Sequence, residues 1–117
     1  MTRRAATVDD AFAALADATR RDILDLLRRR GTLTAGAIAA AHPGVSRPGI
    51  SRHLRVLREA GLVIADEAGR ERRYRLNGAA LARVYRDWFA RFAPMWEDSL
   101  ARLKDNVEGA DRRKTAG

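Results

Sequence analysis

A chain of 117 residues with 46% apolar content supports one hydrophobic core and is too short for two comfortable domains. Its 23 lysines and arginines against 15 acids leave a formal charge of +8, which favours polyanionic partners, nucleic acid ahead of an anionic membrane surface. Without cysteine, disulfides, thiolate metal sites and cysteine redox switches are excluded, and no apolar run approaches the roughly 20 residues of a membrane span. No signal sequence is evident at the start, so a cytoplasmic location and no membrane partner are expected.

Met1 to Thr7 carries Arg3 and Arg4 without an apolar pattern and reads as a basic arm, residues 1–7. Val8, Phe12 and Leu15 then recur at helical spacing and predict a short helix over Val8 to Ala16. Asp17 supplies a short acceptor before ATRRDILDLLRRR, whose stripe is Ile23, Leu26 and Leu27, and Gly31 ends that helix. Arg28 to Arg30 lie in its last turn, where positive charge complements the helix dipole, a structural role ahead of a DNA-binding one. Thr34 is placed to cap a third, small-residue helix, AGAIAAA, and His42, Pro43 and Gly44 punctuate a turn.

The next segment, Ser46 to Ala60, carries the argument. On a helical wheel Ile50, Leu54 and Leu57 form one narrow stripe, and Pro48, Ser51, Arg52, Arg55 and Arg58 fall opposite. Ser46 can cap it and Gly61 suits the left-handed turn that ends it, giving about four turns of helix that fit a major groove. Pro48 disfavours helical geometry at Arg47, which leaves the exact start open by a residue or two. Two short helices joined by a tight turn, the second amphipathic and basic, form a helix-turn-helix. His53 borders the buried stripe and reads as a packing residue ahead of a base contact.

After Gly61, LVIAD and ERRYRL with Gly69 between them predict a β-hairpin, with Tyr74 and Leu76 on one face and Arg73 and Arg75 on the other. Arg70, Arg72 and Arg73 cluster near its tip. For any one of these arginines a solvated, charge-protected edge is an equal reading, but four within six residues favour a basic surface. Asn77 can cap the last element, read from about Gly78 to Asn106, with apolar positions that include Leu81, Val84, Tyr85, Trp88, Phe89, Phe92 and Trp96. This aromatic stripe exceeds what one subunit covers, so a homodimer is expected to form through it and through Phe12 and Leu15 of the first helix. Pro94 is expected to kink this element or divide it near Ala93. Residues 8–106 then make one domain, and the polar residues 107–117 are expected to be a disordered tail.

Taken in order, ALADATRRDILDLL, the helix around Ala35 to Ala41, SRPGISRHLRVLREAGLV and GRERRYRLN resemble the ArsR/SmtB family of bacterial winged helix-turn-helix repressors. The resemblance runs from about Phe12 to Trp88. It implies a mainly α fold with a small β-hairpin, dimerising through N- and C-terminal helices, and a homodimer that binds double-stranded operator DNA carrying an inverted repeat. The family's DNA-facing positions fall on the start of the recognition helix, here Arg47, Pro48, Ser51 and Arg52; the capping residue Ser46 is grouped with them as DNA-binding. Arg47 and Arg52 can each pair with a guanine edge for roughly 1–3 kcal/mol of discrimination, while Arg55 suits a phosphate. Gly49 replaces a small side chain common in relatives, which removes one base contact.

The resemblance stops at the effector. Family metal sites use cysteines near the helix that here reads TAGAI, or acids and histidines on the last helix, and no histidine follows His53. His42 and His53 make a poor pair of ligands, so no metal and no cofactor are expected, and the effector stays open. No nucleophile–base set, phosphate loop or metal pair suggests an enzyme. Two other readings stand beside the regulator: an architectural protein that coats DNA by charge alone, and a winged-helix module that binds protein through its aromatic stripe.

Overall fold

The computed structural model describes the backbone of residues 5–116 and the side chains of residues 5–110. Arg3 and Arg4, expected in a basic arm, lie outside these. The elements are α1 (Val8–Leu15), α2 (Ala18–Arg30), β1 (Leu33–Thr34), α3 (Ala35–Ala40), α4 (Arg47–Glu59), β2 (Val63–Ala68), β3 (Glu71–Leu76), α5 (Gly78–Asp87), a 3₁₀ turn (Phe89–Phe92) and α6 (Ala93–Ala116). They fall into two compact units, residues 1–84 and 85–117.

Short polar side chains start the helices of the first unit. Thr7 and Asp10 form a reciprocal capping box on α1, and Asp17 Oδ1 accepts from the Arg20 amide at 3.0 Å to start α2. Thr34 Oγ1 accepts from the Ala37 amide at 3.2 Å, and Ser46 Oγ from the Gly49 amide at 3.1 Å. Asn77 caps α5 through Ala80 and donates to the Gly61 carbonyl at 2.9 Å, tying the end of the sheet to the end of α4. Gly31 (φ 82°) and Gly61 (φ 78°) take the positive φ with which the chain leaves α2 and α4.

The core of this unit is built from Ile23 and Leu27 of α2, Ile38 of α3, Ile50, Leu54 and Leu57 of α4, and Leu62 and Val63, all fully buried. The apolar stripes read from the sequence therefore face one another. The hairpin register places Val63 opposite Leu76 and Ala65 opposite Tyr74, which buries Tyr74 and turns Arg73 and Arg75 outward. It is not two-stranded as expected. Leu33 and Thr34 add a third antiparallel strand against Tyr74 and Arg73, in the order β1-β3-β2, so the hairpin is braced on one edge by the segment just before α3.

The last element also differs from the expected single helix. A regular helix through residue 94 would set the Pro94 ring against the Ala90 carbonyl, four residues back. Helix α5 ends at Asp87 and the 3₁₀ turn intervenes; Pro94 then lies in the first turn of α6, where the amide hydrogen it lacks would have no partner anyway. Helix α6 passes Asn106 and continues to Ala116, across the stretch read as a disordered tail. Its residues are mostly good helix formers, and Lys104 stands 3.8 Å from Glu108 one turn on. Among the described residues no helix is long and apolar enough to cross a membrane.

Candidate nucleic-acid interface

Helix α4 presents the expected basic face, opposite its apolar stripe. Arg47 is already helical, because Pro48 occupies the second helical position, where no amide hydrogen is needed and the fixed φ is suitable. Ile50, Leu54 and Leu57 anchor the inner side. Ser46, Arg47, Pro48, Ser51, Arg52 and Arg55 are all exposed on the outer side. Gly49 does more than omit a contact. A Cβ there would stand 3.0 Å from Val45 Cγ1 and 3.1 Å from Ser46 Oγ, so glycine leaves room for the cap that begins the helix.

The inner edge of α4 is bolted to the other helices by a polar cluster. Arg20 donates through Nε to the Ala14 carbonyl at 2.7 Å and through Nη2 to the Ala13 carbonyl at 3.2 Å, and its Nη1 faces His53 Nδ1 at 3.4 Å. A guanidinium can only donate, so Arg20 is the donor in its contact with the imidazole. Asp17 Oδ1 lies 3.9 Å from the same Nδ1, and the Arg20 amide bound to Asp17 holds that carboxyl below the usual carboxylate range. His53, with 19% of its side chain exposed, is thus a packing residue turned toward α2. The neighbouring Arg21 donates to the Leu15 carbonyl at 2.8 Å. The two arginines of ATRRD satisfy the unpaired end of α1, a role invisible in the apolar pattern, although basic residues just after a short helix are a recognised signal for it.

The wing is less basic than its arginine count suggests. Arg72 pairs with Glu67 at 3.3 Å, Arg73 with Glu71 at 3.8 Å and Arg75 with Asp66 at 2.7 Å. Tyr74 first and Glu67 second raise the pKa of Arg72 further. Arg70, at the tip beside Gly69 (φ 66°), has no acidic partner among the described residues. Placing Gly69 at the tip sets Glu67 opposite Arg72 and Asp66 opposite Arg73, so these acids were a legible signal. Two arginines in the last turn of α2, Arg28 and Arg29, are also occupied, both by Asp25, in keeping with a structural role.

The contrast is on α4, where Arg47, Arg52 and Arg55 meet no acid among the described residues. The sequence holds none between Asp25 and Glu59. This is the longest run of the first unit without a carboxylate to cancel its positive charge.

The residues expected at a dimer interface separate into two groups. Val84 is 6% exposed and belongs to the core of the first unit, and Phe12, Leu15 and Leu81 pack partly against that core. In the second unit Tyr85 stacks on Trp96 with ring centres 6.2 Å apart, Phe89 lies 6.5 Å from Trp96, and Trp88 meets Phe92 edge to face at 5.5 Å. Arg91 covers the Trp88 ring at 4.9 Å. Tyr85, Trp88, Phe89 and Phe92 keep 39–51% of their surface exposed.

A family model described as Helix-turn-helix domain matches residues 15–64, from the end of α1 into β2. The HTH-type transcriptional regulator Rv2034 of Mycobacterium tuberculosis is 46% identical over 79 residues, 68% of this chain and 72% of that relative. The transcriptional repressor SdpR of Bacillus subtilis is 42% identical over 74 residues, 63% of this chain and 80% of the relative. Among solved structures, the homodimeric winged helix-turn-helix DNA-binding domain Mb0332 of Mycobacterium bovis, a possible ArsR-family transcriptional regulator, is 33% identical. That likeness covers 73% of this chain and 83% of the other, with a TM-score of 0.58. With its helix-turn-helix, its hairpin wing and the order of its motifs matched at these identities, the chain belongs to the ArsR/SmtB family of winged helix-turn-helix transcriptional regulators.

Proposed function

We propose that the protein is a homodimeric repressor that recognises an inverted-repeat operator, inserting α4 of each subunit into successive major grooves. The observation that carries this reading is the set of exposed arginines on α4, Arg47, Arg52 and Arg55, left without acids, while Arg28 and Arg29 of α2 and Arg72, Arg73 and Arg75 of the wing are internally paired. Arg47 and Arg52 read guanine edges near the helix start, Ser51 reaches a base edge or phosphate, and Arg55 lies against the backbone. Pro48 and the Ser46 cap fix the start of the helix on the duplex. The wing touches the backbone through Arg70 first. Pairing of subunits runs through the exposed rings Tyr85, Trp88, Phe89 and Phe92 and the half-buried Trp96. A homodimeric relative and a repressor relative support these two parts of the reading.

Selection of genomic fragments by the purified protein tests it. The expected result is one enriched palindrome whose half-sites lie one helical turn, or a multiple of it, apart. Arg52→Ala should then weaken binding to that site by about 1–3 kcal/mol and binding to random duplex much less. Enrichment without a shared sequence, or equal losses on both duplexes, would replace this reading with a charge-driven DNA coater.

A further inference from the structure

The acids of the wing are placed in an order that the fold does not require. On one face of the hairpin the register sets Asp66 opposite Arg73, with Arg75 and Glu71 two positions to either side of Arg73, so charges alternate along that face. Arg75 Nε donates to Asp66 Oδ2 at 2.7 Å, and Arg73 Nη2 lies 3.8 Å from Glu71 Oε2. On the other face Glu67 stands directly opposite Arg72, whose Nη2 is 3.3 Å from its Oε1. Over residues 63–76, four arginines against three acids leave +1, the charge of Arg70. Helix α4 also has four arginines, but its first acid is its last residue, Glu59. None of the three wing acids caps a helix, and their side chains are 52, 75 and 63% exposed for Asp66, Glu67 and Glu71. Exposed pairs contribute little stability, so stability does not account for them.

We propose that Asp66, Glu67 and Glu71 are specificity determinants: they hold the wing's arginines away from phosphate, keep affinity for arbitrary duplex low and leave the choice of site to α4. The inference rests on the operator reading above and adds to it the residues that suppress binding elsewhere. Phosphates are the same in every sequence, so a cation that meets them strengthens binding to any duplex. On the operator, α4 fixes the register, and freed wing arginines gain only the phosphates within reach of that one position. On arbitrary duplex no register is fixed, and the protein settles where it neutralises most phosphates. Neutralising the acids therefore strengthens arbitrary binding more than operator binding. The ratio of the two, which decides occupancy among the many competing sites of a genome, falls.

The full-length triple variant Asp66→Asn, Glu67→Gln, Glu71→Gln keeps the shape of each side chain and removes its charge. A control of equal net charge, Asp9→Asn, Asp22→Asn, Asp98→Asn, changes exposed carboxylates outside the wing. Both variants and the wild type are titrated at several salt concentrations against the selected operator and a random duplex of the same length. The wing variant should bind random duplex roughly tenfold more tightly at about 0.15 M salt, with a salt slope steeper by about 1.8 for one further phosphate at each of two wings. Its ratio of operator to random affinity should fall about threefold or more, and that of the control should stay within about twofold of wild type. Glu67→Gln alone, at the most exposed of the three acids, should move random binding in the same direction by about twofold. Equal gains on both duplexes, no gain on random duplex, or the same fall in ratio for the control would overturn the proposal while leaving the operator reading in place. A wild type without any preferred sequence would overturn both. Melting followed by circular dichroism should stay within about 3 °C of wild type for each variant, as exposed pairs require.

Discussion

Replacing Arg20 by methionine keeps the aliphatic length of the side chain and removes its guanidinium. Three interactions disappear: the 2.7 Å bond to the Ala14 carbonyl, the 3.2 Å bond to the Ala13 carbonyl and the 3.4 Å contact with His53. The first is short and partly buried, and a charged donor at such a site contributes about 1.5 kcal/mol. The second is exposed and the third is long, so each contributes about 0.5 kcal/mol. The sum, about 2.5 kcal/mol, should lower the melting temperature by roughly 10 °C in a chain of this size. Thermal unfolding followed by circular dichroism measures it. Arg20→Lys should recover less than half, since one ammonium cannot reach two carbonyls and an imidazole together. Equal melting of wild type and Arg20→Met, or full rescue by lysine, would refute the assignment of this arginine as the bolt between α1 and α4.

Three further outcomes follow from the same geometry. Arg70→Ala should reduce the slope of log affinity against log salt by about 0.9 for each phosphate no longer neutralised, hence about 1.8 for a dimer, while Arg75→Ala, already paired with Asp66, should change it little. For Asp17 and Asp25, the folded state favours the carboxylate through the Arg20 amide and the Arg28 side chain respectively. The stability these groups contribute is complete above the ordinary carboxylate range and is lost as pH falls through their lowered pKa values. Denaturant titrations from about pH 5 to about pH 2 should show this decline, shallower in Asp17→Asn. Val84→Ala should destabilise the fold by about 2 kcal/mol through poorer core packing, whereas Phe92→Ala should leave denaturant stability of the first unit unchanged and raise the dimer dissociation constant at least tenfold.

These perturbations separate what a local pattern can reveal from what needs the fold. The caps at Asp17, Thr34, Ser46 and Asn77 were legible because each depends on one acceptor and the amides within three residues of it. The stripe of α4 was legible for the same reason: Ile50, Leu54 and Leu57 recur at the helical period. Strand β1 was not, since two residues have no period and become a strand only through Tyr74 and Arg73, about forty positions later. Val84 shows the limit on the other side. It shares the helical period of the exposed rings, so periodicity grouped it with them, yet the first unit buries it as core. The end of α5 follows from Pro94, but the placement of the 3₁₀ turn several residues earlier follows from the proline ring's reach back to Ala90.

Charge adds a distinction that counting arginines hides. The wing and α2 are rich in arginine, but their own carboxylates lie within ion-pair distance, so much of their field closes on itself. Exposed pairs of this kind contribute little stability, and they leave Arg70 as the wing arginine whose charge is not shared with an acid. On α4 no carboxylate competes before Glu59. In the proposed complex its guanidiniums would meet DNA without first surrendering a partner, which leaves their full hydrogen-bonding capacity for base edges. The same helix is held from behind by a buried aliphatic stripe and by Arg20 with His53, which fixes its orientation on the first unit. On the proposed reading, selectivity would depend as much on where acids are absent as on where arginines are present. Introducing one acid beside Arg52, as in Ser51→Glu, should abolish operator binding while leaving the fold as stable as before.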